Sequence, residues 1–319
     1  MGVAPRRRRP GVTVLVRLLI YVLAAIFFFV FRSRVDWQQL AHRAGSSGPP
    51  DTTLVVAGAD VAPLLADNIV HRYRRDYPRL RIDLRGGTTA QALQDLIDAR
   101  AHAIFFARPP SSGEQGDFTR VTGDTVIWYP IAVGAILVVS APDHADTVVS
   151  LETLRPVASG RAGSGRRLYV PDPNSGLWWA FLARLGLPDA PSAPPPGVVF
   201  LKDDDTVLTA VLSDVGSIGI VSSFALRKSL SEWGVRALAI QAGPGTLPVT
   251  ADNLTLSTSD YPLWCYLYAG CRAHGDMPGG MFITYVTSPR GQRQIERTPY
   301  LPAKIISREV FLRRIPTKP

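Results

Sequence analysis

Twenty residues from Val12 to Phe31, VTVLVRLLIYVLAAIFFFVF, carry a single charge. As a helix this run would extend about 30 Å, the thickness of a bilayer's hydrocarbon core. Arg17 lies near enough to one end for its long stem to return the guanidinium to the headgroups. The cluster Arg6 to Arg9 outweighs Arg32 and Arg34, so the charge bias places the N-terminus in the cytoplasm and the bulk of the chain outside. A cleaved signal peptide is the competing reading. It is disfavoured because the run ends Phe-Phe-Phe-Val-Phe-Arg without a small-x-small site, and no cysteine follows to carry a lipid. The sequence therefore predicts one N-terminal transmembrane helix, anchored in the lipid bilayer through residues 12–31, in a cell-membrane protein.

That segment also accounts for the charge. The chain has a formal net charge of +9, but the first 34 residues hold seven arginines and no acid, leaving the remainder at only +2. Nucleic acid is not needed to explain the excess. A 46% hydrophobic composition with six Trp excludes a disordered chain, and the part beyond the anchor is long enough for one large core or two smaller ones. Residues 35–51, ending Ala-Gly-Ser-Ser-Gly-Pro-Pro, read as a linker.

Beyond the linker, strands and helices alternate. Leu54 to Ala57 reads as a strand, followed by a helix from Val61 to about Arg75 with Pro63 in its first turn. Arg81 to Leu84 is the next strand, and Thr88 or Thr89 caps a helix carrying Ala92, Leu93, Leu96 and Ile97 on one face. Ala103 to Ala107 and Ile131 to Val139 are apolar strands. Ser150 caps a short helix, Leu168 to Val170 is a strand, and Asn174-Ser175-Gly176 leads into a helix ending near Leu185. Residues 188–197 hold five prolines and read as a stiff loop. Asp203 to Asp205 cap a helix through Leu212, Gly216 to Val221 turn into a buried strand, Tyr261 to Tyr268 is strand-like, and Met281 to Thr298 reads as helical. This is the pattern of an α/β protein with a parallel sheet, whose ligands lie beyond the carboxyl ends of the strands.

Three strand-to-helix junctions present small or capping residues at a helix N-terminus: Gly58-Ala59-Asp60, Gly87-Thr88-Thr89 and Asn174-Ser175-Gly176. Unsatisfied N–H groups and the positive end of the helix dipole suit such junctions to oxyanions, although each one taken singly serves a helix cap equally well.

In their order and wording these segments resemble the phosphate-type periplasmic substrate-binding proteins of ABC importers, from about Thr53 to Ala303. The matching pieces include Val56-Ala57-Gly58-Ala59-Asp60-Val61-Ala62-Pro63, Gly86-Gly87-Thr88-Thr89, Ala107-Arg108-Pro109, Ser150-Leu151-Glu152-Thr153-Leu154, Asn174-Ser175-Gly176, Gly216-Ser217-Ile218-Gly219-Ile220-Val221 and Ser288-Pro289-Arg290-Gly291-Gln292. The resemblance implies a two-lobed type 2 periplasmic-binding-protein fold, with lobe 1 from 52–138 and 236–319, lobe 2 from 139–235, and residues 1–34 as cytoplasmic tail and anchor. It further implies an oxyanion, phosphate or a relative, held between the lobes by Ala59, Asp60, Thr88, Thr89, Arg108, Ser175 and Gly176. The chain departs from the pattern at Asp60, where a hydroxyl is usual, at Pro171, where an arginine is common, and at Leu177, where Thr is expected. A carboxylate beside phosphate costs several kcal/mol unless it is protonated.

The resemblance implies an ABC permease or a membrane sensor as partner. The alternative is a degenerate receptor fold acting as an interaction or scaffold module at the cell surface, its cleft blocked by Leu177, Trp178 or Trp179. No G-x-S-x-G elbow, Walker loop or HExxH run supports an enzyme. The five histidines lack metal spacing, and no cofactor is expected. Cys265 and Cys271 could form a disulfide outside the cell only if the chain turns near Gly270, because six extended residues separate them by about 20 Å.

Overall fold

A computed structural model describes residues 53–161, 167–187 and 194–304. The apolar run 12–31, the linker 35–51 and most of the proline-rich loop lie outside the described residues. Among the described residues, no helix is long and apolar enough to cross a membrane.

The first half of the fold is built from β1 (Thr53–Ala57), α1 (Pro63–Asp76), β2 (Arg81–Leu84), α2 (Thr89–Ile97), β3 (Ala103–Phe106) and α3 (Ser112–Thr122). After β4 (Val126–Ser140) come β5 (Val148–Ser150), α4 (Leu151–Ala158), β6 (Leu168–Pro171), α5 (Leu177–Arg184), β7 (Val198–Leu201), α6 (Asp204–Ser213) and β8 (Ile218–Ser222). The chain closes with α7 (Leu230–Trp233), β9 (Arg236–Ala237), β10 (Ala239–Gln241), α8 (Asn253–Ser257), β11 (Trp264–Arg272), α9 (Met277–Thr287), α10 (Pro289–Ile295) and β12 (Leu301–Pro302).

The main sheet runs β2-β1-β3-β11-β4-β8-β6-β7, with β9 and β12 also paired to β4. Strand β4 is common to both halves. Its residues 126–135 pair antiparallel with β11 from Arg272 back to Trp264, and Ile136 to Val139 pair with β8. Strands β1, β2 and β3 are parallel to one another, as are β6, β7 and β8. Strands β5 and β10 form a separate parallel pair. This is the mixed α/β, two-lobed architecture that the strand–cap–helix rhythm predicts.

Alternation along the strands divides the core. Leu54, Val56 and Phe105 point into the large cluster beneath α1 and α9, whereas Val55, Ala57, Ile104 and Phe106 point into a smaller cluster closed by Ala92, Leu93 and Leu96 of α2 and Phe118 of α3. In the second half, Trp178 is fully buried with Phe181 and Phe200 around it. Burying these side chains fixes where each strand ends, and so where each succeeding loop emerges.

Three expectations change in the structure. β4 begins five residues before the apolar run at Ile131, because its alternating start Val126-Ile127-Trp128-Tyr129 still pairs with β11. The helix read across Met281 to Thr298 is two helices, broken where Ser288 turns extended ahead of Pro289, as the residue before proline favours. The two cysteines are free. Gly270 lies inside β11 instead of at a turn, so Cys265 and Cys271 stay an extended six residues apart on the buried face. Helix α3, not anticipated from apolar periodicity, starts from a capping box in which Ser111 accepts from Glu114 N–H while the Glu114 carboxylate accepts from Ser111 N–H.

Candidate functional site

The loops after β1, β2, β3 and β6 meet where the two halves of the sheet face each other. Gly58 has φ +80°, and a Cβ there would run into the Phe105 carbonyl oxygen, so only glycine fits this exit from β1. The Gly58 loop is joined to the one after β2: Gly58 N–H donates to Gly86 O at 3.3 Å and Ala59 N–H to Arg85 O at 3.0 Å. Asp60 then reaches back, its Oδ2 accepting the Gly87 N–H at 2.8 Å. A Cβ at Gly86 would sit 2.5 Å from that carboxylate oxygen, so the glycine pair is what allows Asp60 to lie on the turn.

Thr88 and Thr89 have different tasks. Thr88 is the N-cap of α2, its hydroxyl accepting from Gln91 N–H and its own N–H donating to the Gln91 side chain. Thr89 is fully buried. Its hydroxyl donates to Ser175 O at 2.7 Å and accepts from Ala107 N–H at 3.1 Å, tying α2 to both the β3 exit and the β6 loop. Gly176, at φ +88°, packs so closely that a Cβ would lie 3.0 Å from Thr89 Oγ1 and 3.3 Å from Arg108 Cγ. The Ser175 hydroxyl accepts from Leu177 N–H at 3.3 Å.

Arg108 holds Glu114 through two hydrogen bonds of 2.7 Å, the bidentate geometry of a strong pair. Burial pushes the Glu114 carboxyl up, but the hydrogen bonds from Arg108 and Ser111 outweigh it and hold it below the ordinary carboxylate value. The same guanidinium lies 5.4 Å from the Trp179 ring centroid, so it touches α5 in the other half. From that half Arg227 approaches Asp60 at 3.9 Å, an exposed and weaker pair.

The seven residues expected from the sequence lie close together, but most of their polar groups already have partners within the protein. Ala59 N–H has Arg85 O, the Asp60 carboxylate has Gly87 N–H, Thr89 Oγ1 has Ser175 O, and Arg108 has Glu114. Beside them a groove of about 310 Å³ remains, lined by Thr88, Ala90, Gln91, Gln94, Asp172 and Asn174. Glu114 and Arg227 join the site beyond the sequence expectation. Glu114 had a legible signal, the S-x-x-E box from Ser111, whereas nothing local marks Arg227 as the partner of Asp60. Of the bulky residues after Gly176, Leu177 and Trp178 are core and Trp179 faces the junction.

Parallel strands in two halves, antiparallel long strands joining them, and polar loops converging at the strand ends define a type 2 periplasmic-binding-protein-like ligand-binding domain. The family model described as LysR substrate binding domain matches residues 47–251, and the chain belongs to that family. No curated protein matches at the sequence level. Among solved structures, a phosphate ABC transporter substrate-binding protein from Clostridium perfringens with bound phosphate is similar at TM-score 0.64 and 13% identity, over 79% of this chain and 100% of that one. An ABC-type phosphate transport receptor from Vibrio cholerae gives 0.61 and 15%, over 79% and 100%. PstS from Borrelia burgdorferi gives 0.50 and 18%, over 80% and 100%. At such identities the likeness establishes the fold.

Proposed function

We propose that the chain is a membrane-anchored, extracytoplasmic binding-fold module that has lost the coordination of free phosphate and acts through interaction at the cell surface. The observation that carries this reading is the Asp60 carboxylate seated on Gly87 N–H, where an oxyanion would need a donor. The charge balance agrees with it. Arg108 is neutralised by Glu114 and Arg227 faces Asp60, so neither cation at the strand ends lacks an acid. A phosphate dianion entering here would displace two carboxylates and break the Thr89–Ser175 bond, losing hydrogen bonds worth about 1 kcal/mol each and more where a partner is charged.

Calorimetric titration of the full-length chain in detergent with phosphate, sulfate and molybdate tests the reading. No saturable heat is expected, and saturation by any of the three at micromolar concentration would overturn it.

One observation favours a second reading, an oxyanion receptor that delivers to an ABC permease or a membrane sensor. Thr89, Ser175 and Gly176 do meet across the two halves, as donors to a shared ligand would. Under this reading the same titration gives saturation, and Asp60→Thr tightens it.

A further inference from the structure

Strands β1 and β2 begin at a strongly basic end of the domain, opposite the exits at Gly58 and Gly86. Ten residues from Arg72 to Arg81 hold five arginines and one acid, in a chain that is only +2 beyond its first 34 residues. They run from the last turns of α1 through the tight turn Tyr77–Leu80 into β2. The single acid is already used: Asp76 accepts from Arg290 of α10 at 2.6 Å and from the Tyr285 hydroxyl at 3.1 Å. The next acid along the chain, Asp83, holds Arg85. Arg74 has one link, its Nη2 donating to Ile82 O at 2.6 Å. Arg75, Arg79 and Arg81 are exposed and have no carboxylate partner among the described residues.

Apolar side chains stand at the same end. Helix α9 packs on α1 through Phe282 and Tyr285 against Tyr73. It starts beside the residue that precedes β3, so closely that a Cβ at Gly279 would run into the His102 carbonyl oxygen. Met277 on its first turn is 75% exposed, and Met281, one turn on, is 42% exposed. Guanidinium groups without acids beside protruding apolar side chains match the boundary layer of a bilayer, where anionic headgroups meet the ends of the acyl chains. The path of the chain agrees with that match. Thr53, the first described residue, pairs with Arg81, so the linker of residues 35–51 joins the domain at its basic end. A flexible linker of that length spans about 20–25 Å.

We propose that this end, with Arg74, Arg75, Arg79, Arg81 and Met277, docks on the anionic lipid headgroups of the membrane that anchors the chain. The choice of a lipid surface rests on the membrane-anchored reading, because a short tether is what confines the domain near a bilayer and makes weak contacts sufficient. Each guanidinium gains from the negative surface potential, and its fork of N–H groups matches the oxygens of a lipid phosphate. The exposed methionines add the apolar contact that a free inorganic anion would leave unused. Docked by this end, the domain turns the strand exits at Gly58 and Gly86 away from the lipid and leaves them open to a partner at the cell surface.

The test is hydrogen exchange of the full-length chain in lipid nanodiscs, one set of phosphatidylcholine alone and the other containing phosphatidylglycerol. Expected is about fivefold or greater slowing of exchange in peptides covering 72–82 and 276–282 in the phosphatidylglycerol discs, reversed by high salt. The combined reversal Arg75→Glu, Arg79→Glu and Arg81→Glu should abolish the slowing, and Met277→Ser should reduce it. Lys202→Glu, the same change of charge at an exposed site in the other half, should leave it intact. A chain that enters both discs but exchanges equally in them overturns the docking and leaves the anchor standing. A chain that enters neither overturns the anchor and the docking together. Slowing that survives the triple reversal, or that Lys202→Glu removes equally, also overturns the proposal. If the triple variant does not fold, undiminished slowing in Arg79→Glu overturns it instead. Slowing in phosphatidylcholine discs that grows with the density of chains, or on addition of inorganic phosphate, assigns the face to a second copy or to a free anion and counts against the lipid.

Discussion

Two arginines cross the junction between the halves of this protein, and each stacks on a tryptophan of the opposite half. Arg108 leaves β3 and meets Trp179 of α5, while Arg184 leaves α5 and meets Trp264 of β11. Arg108 is gripped by Glu114 through a bidentate pair, whereas Arg184 has no acid partner among the described residues. The loops around Arg108 satisfy one another through Asp60, Thr89 and Ser175, and the aromatic row of Trp264, Tyr266 and Tyr268 beside Arg184 is left half-covered. The contrast teaches that the position of a cation in a binding fold says little about its availability. What matters is whether the chain itself already supplies the counter-charge.

Helix α5 seats both stacks, so removing its anchor is the strongest way to break the contrast. Trp178→Ala empties a fully buried site against Phe181 and Phe200 and should cost about 3–5 kcal/mol by urea unfolding. Trp179→Ala, from the neighbouring half-exposed position, should cost well under half of that. Next comes the bond that ties the polar side shut. Thr89→Val leaves Ala107 N–H and Ser175 O without their partner and should lose about 1–3 kcal/mol, read by the same unfolding curves.

Glu114→Gln sharpens the comparison by making Arg108 resemble Arg184. Its expected signature is in the pH dependence. The folded state holds the Glu114 carboxyl below its unfolded value, so the stability it contributes is present above the unfolded carboxylate range and is lost as pH falls through the folded value. The variant should therefore be less stable at pH 7 and show a shallower acid decline, measured as urea midpoints between pH 7 and pH 3. The smallest effect belongs to the exposed Arg227–Asp60 pair, where Arg227→Ala should change stability by less than about 1 kcal/mol and shrink further in high salt.

How much of the molecule is legible in its sequence depends on the range of the forces involved. The exits of β1, β2 and β6 are marked by Gly58, Gly86-Gly87 and Gly176, because a left-handed turn or a close approach leaves a residue signature. The caps at Thr88 and Ser150 arise from short-range hydrogen bonding and stand at their expected positions. The aromatic row on β11 reads in the sequence only as a strand from Tyr261. Its exposed face is set by which side of β11 packs on the large core, and residues 265 to 271 reveal that only when the sheet is assembled. Arg227 and Asp60 lie far apart in the chain, as do Arg184 and Trp264, and no local pattern joins them.

The sequence by itself determined the alternation of strands and helices and the glycine and capping residues at the strand exits. These come from backbone sterics and from hydrogen bonds made within a few residues. Tertiary structure alone decided the partners of those groups. Whether a carboxylate lies on Gly87 N–H, whether Thr89 ties to Ser175 and which cation faces Asp60 are matters of pairing between distant segments, and packing sets those distances.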